Sequence, residues 1–245
     1  MAKIIPLSEG AFTVDQTKKF IPFNKQEDDL QVRQKGSLLV EIQPFVVITS
    51  SDILLFDTGL GFSDKEGRLQ IHKNLAENGI NAADVTKVLI SHLHKDHSGG
   101  IAQPNKRIVS FENATYYINK KEWEYAIEKG LPSYHVNDFL LLEKRSNLVF
   151  TEADGVIDDY IYYSVTGAHS PFHQVFKITD NDEIIFFGGD VAPQLQQMKS
   201  RFKAKYDFDG TAAMELRQKW WQQGQDEKWT FLFYHDIKDP VFSFK

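Results

Sequence analysis

Cysteine is absent from the 245 residues. That excludes disulfides and thiolate ligands, so any metal must be held by histidine, carboxylate or backbone oxygen. Positive charge is not in excess. The formal net charge is −6 at pH 7 and no basic cluster stands out, which argues against nucleic acid as a partner. No apolar run approaches the length of a membrane span, and Met1–Ser8 lacks the apolar core of a signal peptide. No membrane association is therefore expected, and the expected location is cytoplasmic. Low-complexity segments and an inter-domain linker are also missing, so residues 1–245 are read as a single domain. Within it, residues 1–35 are polar and aromatic by turns and are set apart as an N-terminal arm. That arm either covers a pocket or pairs with a second subunit in a homodimer.

What is present is an ordinary soluble composition, 42% hydrophobic and 25% charged, with 19 Phe, 9 Tyr and 4 Trp. Apolar runs at Leu38–Ile42, Phe45–Ile48, Ile53–Phe56, Val88–Ile90, Thr115–Ile118, Tyr160–Val165 and Trp229–Tyr234 predict strands. Gln174–Ile178 and Glu183–Phe187 predict a hairpin around Asp180-Asn181-Asp182. Helices are predicted over Leu69–Asn78 with Gly79 behind, over Lys120–Lys129, and over Thr211–Gln223 with Ala212, Leu216 and Trp220 on one side. Strands interleaved with helices indicate the α/β class.

The densest chemistry is His92-Leu93-His94-Lys95-Asp96-His97. Three imidazoles and a carboxylate sit on a loop leaving a strand, and these are donors that zinc and its neighbours accept. His169, Asp190 and His235 each follow a further apolar strand, so rigid strand ends aim four loops toward one point. Asp57-Thr58-Gly59 ends another strand. Asp57 reads either as a carboxylate bracing a ligand imidazole or as a turn residue. Gly99-Gly100 is read as serving close backbone packing.

This constellation resembles the metallo-β-lactamase-fold hydrolases, in which a His-x-His-x-Asp-His signature precedes a further His, an Asp and a last His. All seven positions are present: His92, His94, Asp96, His97, His169, Asp190 and His235. The resemblance covers about Ser37 to His235 and implies a four-layer αββα sandwich. It implies that His92, His94 and His169 hold one divalent metal ion, that Asp96, His97 and His235 hold a second, and that Asp190 bridges them. Zinc is expected, with manganese, iron, cobalt or nickel as alternatives. The function implied is hydrolysis by a metal-bridging hydroxide, with Asp96 as the catalytic residue that orients it and passes a proton to the leaving group.

Within the superfamily the chain looks most like the branch of N-acyl-homoserine lactone lactonases and methyl parathion hydrolase-type enzymes. That points to a lactone or ester of a small, partly apolar, uncharged substrate. Phosphotriester or phosphodiester hydrolysis at the same centre is the alternative, and a non-catalytic metal-binding protein the reading from another class. The lactonase tyrosine shortly after the bridging Asp is missing, because Val191-Ala192-Pro193-Gln194-Leu195 stands there. Tyr134, His135, His173 and Tyr206 are candidates for that donor role. Tyr134, His135, His173 and Phe172 are named as substrate contacts, and Phe20, Phe23, Phe62, Trp123 and Phe208 as further pocket aromatics.

Overall fold

The structure, a computed structural model, describes residues 2–103 and 106–244. Three apolar layers determine the architecture, and alternation along single strands separates them. In β6 (Ile53–Phe56), Leu54 and Phe56 point to one cluster while Leu55 points to another. In β15 (Glu183–Phe187), Ile185 and Phe187 join the cluster of Leu54 and Phe56, whereas Phe186 faces a third. Each strand is thus buried on both faces, which requires sheet against sheet in the middle and helices outside. The result is the expected αββα sandwich.

The first sheet has the order β1 (Lys3–Pro6), β5 (Phe45–Ile48), β6, β7 (Lys87–Leu89), β10 (Thr115–Asn119), β11 (Leu148–Thr151). Its outer face is covered by α1 (Gln70–Glu77) through Ile71 and Leu75, and by α3 (Lys120–Lys129) through Trp123 and Ala126. The second sheet runs β12 (Gly155–Ile157), β13 (Ile161–Val165), β14 (Gln174–Asp180), β15, β16 (Thr230–Leu232), β17 (Val241–Ser243), and β8 (Ala102–Gln103) pairs with β9 (Ile108–Val109) apart from both. Its outer face carries α4 (Leu195–Met198) and α5 (Gly210–Glu227). The β14–β15 hairpin turns through Asn181 and Asp182, both with positive φ, as a two-residue primed turn requires.

Two details differ from the sequence reading. The stretch 1–35 contains structure that belongs to the sandwich. β1 pairs antiparallel with β5 and places Ile5 in the core. β2 (Gly10–Val14) is the centre of a three-stranded sheet between β3 (Phe20–Pro22) and β4 (Leu38–Ile42). These strands have only three to five residues, too few to establish a period among polar neighbours. In α5 the buried face is Ala213, Met214, Arg217, Trp220 and Gly224, rotated from the one that Ala212 and Leu216 suggested. Arg217 causes the shift. Its guanidinium is buried and donates to Val191 O at 2.8 Å and to Phe202 O, tying the loop after Asp190 to the helix. No helix among the described residues is long and apolar enough to cross a membrane.

Candidate metal centre

One edge of the sandwich gathers the C-terminal ends of β6, β7, β13, β15 and β16. Their following loops deliver Asp57, His92, His169, Asp190 and His235, and a short helix α2 (Lys95–Ser98) adds Asp96 and His97. Backbone bonds lock the loops together: Asp57 N donates to Leu89 O at 3.0 Å, Thr58 N to His97 O at 2.7 Å, and Gln174 N to Ser91 O at 2.9 Å. The last bond spans the two sheets. Gly99 and Gly100 serve close approach, since a Cβ on Gly100 would stand 2.2 Å from Thr58 O and one on Gly99 2.4 Å from Leu60 O.

All seven expected ligand residues converge, in two groups: His92, His94, His169 and Asp190, and then Asp96, His97 and His235. In the first group His94 presents Nδ1, 2.9 Å from His92 Nε2 and 3.2 Å from His169 Nε2. In the second, Asp96 Oδ2 lies 3.7 Å from both His97 Nε2 and His235 Nε2. Asp190 stands between them. Its Oδ2 is 3.2 Å from His169 Nε2 and 4.0 Å from His92 Nε2, while its Oδ1 is 3.2 Å from His97 Nε2 and 3.0 Å from His235 Nε2.

The outward nitrogens of these rings are held in turn. His97 Nδ1 is 2.7 Å from Asp57 Oδ2, and Asp57 also accepts from Ser91 N and Ser91 Oγ, each at 2.7 Å. Ser91 Oγ lies 3.1 Å from His92 Nδ1. His169 Nδ1 meets Asp207 Oδ1 at 2.9 Å, and His235 Nδ1 donates to Glu41 O at 2.7 Å. Such partners orient imidazoles and raise their basicity toward a metal. Of Asp57's two sequence readings, the geometry realises the brace, on a backbone of positive φ. Glu122, wholly buried on α3, accepts from Leu93 N at 3.1 Å and Ser170 Oγ at 2.8 Å, joining the loops that carry His92–His97 and His169. Tyr234 stacks on the His97 ring at 4.1 Å and donates to Asp96 O at 2.6 Å. Sequence reasoning missed Asp207, Glu122 and Tyr234. The only trace of Glu122 was a carboxylate beside Trp123 on a helix face that otherwise buries apolar groups.

The charge pattern is that of a cation site. Burial disfavours ionisation of Asp190, yet His235, His97 and His169 hold its carboxyl well below the usual range. Burial also opposes charge on His97, but Asp190, Asp96 and Asp57 together raise it well above the ordinary imidazole value. His235 is raised against burial by Asp190 and Asp96. His92 and His94 are pushed well down, first by burial and then by neighbouring imidazoles. His97 Nε2 and Asp190 Oδ1 are buried without an aligned hydrogen bond. Buried polar atoms left so are costly, and a divalent cation accepting both lone pairs removes that cost. The donor set, imidazole and carboxylate only, fits such an ion.

The named substrate contacts fare differently. His173 is fully buried and its Nε2 accepts from Asp190 N at 3.2 Å, so it supports the carboxylate loop. Tyr134 is also buried, its ring 4.9 Å from His94, packed on Tyr125. His135 faces Asp138 at 3.6 Å and lines a separate cleft with Leu60, Gly61 and Gly99. Phe172 packs on Tyr125 with ring centres 5.9 Å apart, on the far side of Tyr125 from Tyr134 in the chain of ring contacts. Trp123 is core, against Phe139. Tyr206 is the donor candidate that stands part-exposed beside the centre, its ring 6.0 Å from His169. Burial pushes its hydroxyl up to about 12, with Asp190 and Asp207 adding to the effect, which keeps it a proton donor.

Comparison with known proteins agrees with this geometry. An alignment of 113 positions covering 41% of this chain is 33% identical to N-acyl homoserine lactonase AttM of Azorhizobium caulinodans, and an alignment of the same extent with AttM of Agrobacterium fabrum gives the same identity. The aligned stretch spans 38% of either relative. Among solved structures, a probable metal-dependent hydrolase from Staphylococcus aureus superposes with a TM-score of 0.80 at 20% identity, covering 99% of this chain and 92% of that one. The dizinc quorum-quenching lactonase AidC, in complex with its product N-hexanoyl-L-homoserine, superposes with a TM-score of 0.73 at 20% identity, covering 98% and 89%. At that identity the likeness is one of fold. The family described as the metallo-beta-lactamase superfamily matches residues 42–235, a span containing every ligand-type residue of the centre, and the chain belongs to that superfamily.

Proposed function

We propose that this chain is a dinuclear metal-dependent hydrolase that opens a lactone or cleaves a related ester of a small, partly apolar substrate. The observation that carries the reading is Asp190, whose two oxygens divide between two histidine groups. In this reading His92, His94 and His169 would hold one ion, Asp96, His97 and His235 the other, and Asp190 would be shared between them. Zinc is favoured by the donor set. Ions held there would supply Lewis acidity and a water whose pKa is lowered to about 7. Asp96 would orient the attacking water and carry a proton to the leaving oxygen, with water adding across the acyl C–O bond to give acid and alcohol. Tyr206 donates to the carbonyl oxygen as it gains charge. The lactonase relatives supply the preference for lactones.

The test is elemental analysis of protein prepared without added metal, beside a panel of lactones and esters. About two metal ions per chain, with lactone opening lost on chelation, is the expected result. Two metals without lactone or ester turnover moves the substrate to phosphoesters. Fewer than about one metal per chain after zinc supplementation sinks the reading.

A pH dependence follows from the two groups. Metal binding requires neutral imidazole. Without metal, the surrounding carboxylates favour the imidazolium form of His97 and His235, whereas burial and neighbouring imidazoles disfavour it at His92 and His94. Protons therefore compete mainly at the Asp96–His97–His235 group. Lowering the pH from about 8 to about 6 is expected to empty that group first, taking metal content from about two toward about one per chain. Parallel loss of both ions across a dialysis series would contradict this asymmetry.

A further inference from the structure

A cavity of about 250 Å³ reaches the C-terminal end of α2 and is lined by none of the seven ligand residues of the metal centre. Part of its lining is bare backbone. Gly61, at φ 72°, leaves no room for a side chain against Gly99 O. Gly99 N in turn donates to Gly59 O at 2.9 Å and to Lys95 O at 3.0 Å, which fixes that wall. Leu69 and Ala102, both buried, and the half-buried Leu60 make the rest of it apolar. The volume lies below the usual range of pockets for drug-sized ligands, so an occupant is small.

Asp138, which ends the 3₁₀ turn Val136–Asp138, lines the same cavity. Its side chain is 22% exposed, so the carboxylate is largely withdrawn from water yet reachable. Among the described residues no donor is aligned on either of its oxygens, and no lysine or arginine nitrogen stands within 4.0 Å. His135 Nδ1 lies 3.6 Å from Asp138 Oδ2, too far for a hydrogen bond. Nor does His135 supply a charge, since burial and then Lys95 hold its imidazole below the ordinary value. The two lysines nearby are engaged elsewhere. Lys95 sets its ammonium 5.2 Å from the centre of the Phe20 ring, and the exposed Lys106 donates from Nζ to Gly67 O at 2.7 Å. Burial pushes the Asp138 carboxyl up to about 6, against the pull of Lys95, which leaves it mostly ionised at neutral pH.

We propose that this cavity is a binding site for a small primary ammonium compound, its –NH3+ on Asp138 and its apolar stem against Leu60, Leu69 and Ala102. A carboxylate withdrawn from water and left without a donor is unfavourable, and a charge-assisted N–H bond removes that cost. One carboxylate and one imidazole are too few ligands for a divalent ion, which leaves an organic cation as the matching partner. The proposal goes beyond the hydrolase reading and does not depend on it, because Asp138 and the apolar wall take no part in the metal centre.

The experiment titrates zinc-loaded protein near neutral pH with n-butylammonium, 1-butanol and butyltrimethylammonium, following backbone amides by NMR. 1-Butanol keeps the stem without the charge, and butyltrimethylammonium keeps the charge without an N–H. n-Butylammonium is expected to shift the amides of Leu60, Gly61 and Gly99 with a millimolar Kd, and each comparison compound to bind about tenfold more weakly. Asp138→Asn, which preserves the shape of the side chain, is expected to lose the preference for n-butylammonium, and His135→Gln to keep it. Equal binding of either comparison compound overturns the site, as does a preference that survives in Asp138→Asn. So do shifts confined to the loops of His169 and His235, which mean capture at the metal centre, and the absence of any shift at about 20 mM n-butylammonium. Should Asp138→Asn fail to fold, as thermal unfolding would report, the three compounds on wild-type protein still decide.

Discussion

Asp190→Ala is expected to lose turnover altogether and to lower metal content, because it removes the group that both halves of the centre share. Its two oxygens lie 3.0–3.2 Å from nitrogens of His97, His235 and His169. The variant leaves these imidazoles in a cluster without the carboxylate that balances charge there. The loss should therefore exceed the 10–100-fold typical of groups standing behind a ligand. Elemental analysis and kcat/KM on the best ester are read together. Asp190→Asn separates charge from shape, since it keeps the side chain and hydrogen-bonded loop but offers one oxygen. Retention of both metals and of turnover by Asp190→Asn would remove the bridging role on which the dinuclear reading stands.

Asp57→Asn is expected to weaken metal binding by about 10–100-fold without touching a ligand. Asp57 accepts from Ser91 N, Ser91 Oγ and His97 Nδ1, all at 2.7 Å. A carboxylate satisfies three donors; an amide carries two hydrogens of its own on one side and must leave a donor unmet. Burial raises the Asp57 carboxyl, and His97 offsets that, so the pair forms only as a unit. One unpaired buried group costs about 1–3 kcal/mol, so thermal stability should fall alongside affinity. The checking measurement is competitive chelation of zinc in wild type and variant, with thermal unfolding in parallel. If affinity is unchanged while stability falls, Asp57 only holds the loop.

Much of the centre was legible because its chemistry is carried by rare residues at strand ends. His92, His94, Asp96 and His97 declare themselves within six positions, and His169, Asp190 and His235 each close an apolar run. Helix Lys120–Lys129 and strands Leu38–Ile42 and Phe45–Ile48 have the bounds their periodicity and turns indicated. The arm at 1–35 was less legible. Ile5 and Phe12 enter the core through strands whose partners, β5 and β4, lie more than twenty residues further on. The buried face of α5 was misplaced because a hydrophobic count rejects Arg217, whose burial depends on carbonyls supplied by residues 191 and 202.

By itself, then, the sequence determined the class of fold, the ligand chemistry and the exclusion of thiolate, because these rest on residue type and local period. Only the tertiary structure decided which groups stand behind each ligand. Asp207 and Glu122 carry no local sign of their role, since their partners His169 and Leu93 lie 38 and 29 residues away. The same holds for His173, which is buried behind Asp190 and accepts from its backbone N–H. Which side a polar group faces depends on neighbours distant in the chain, and such contacts leave no periodic mark on it.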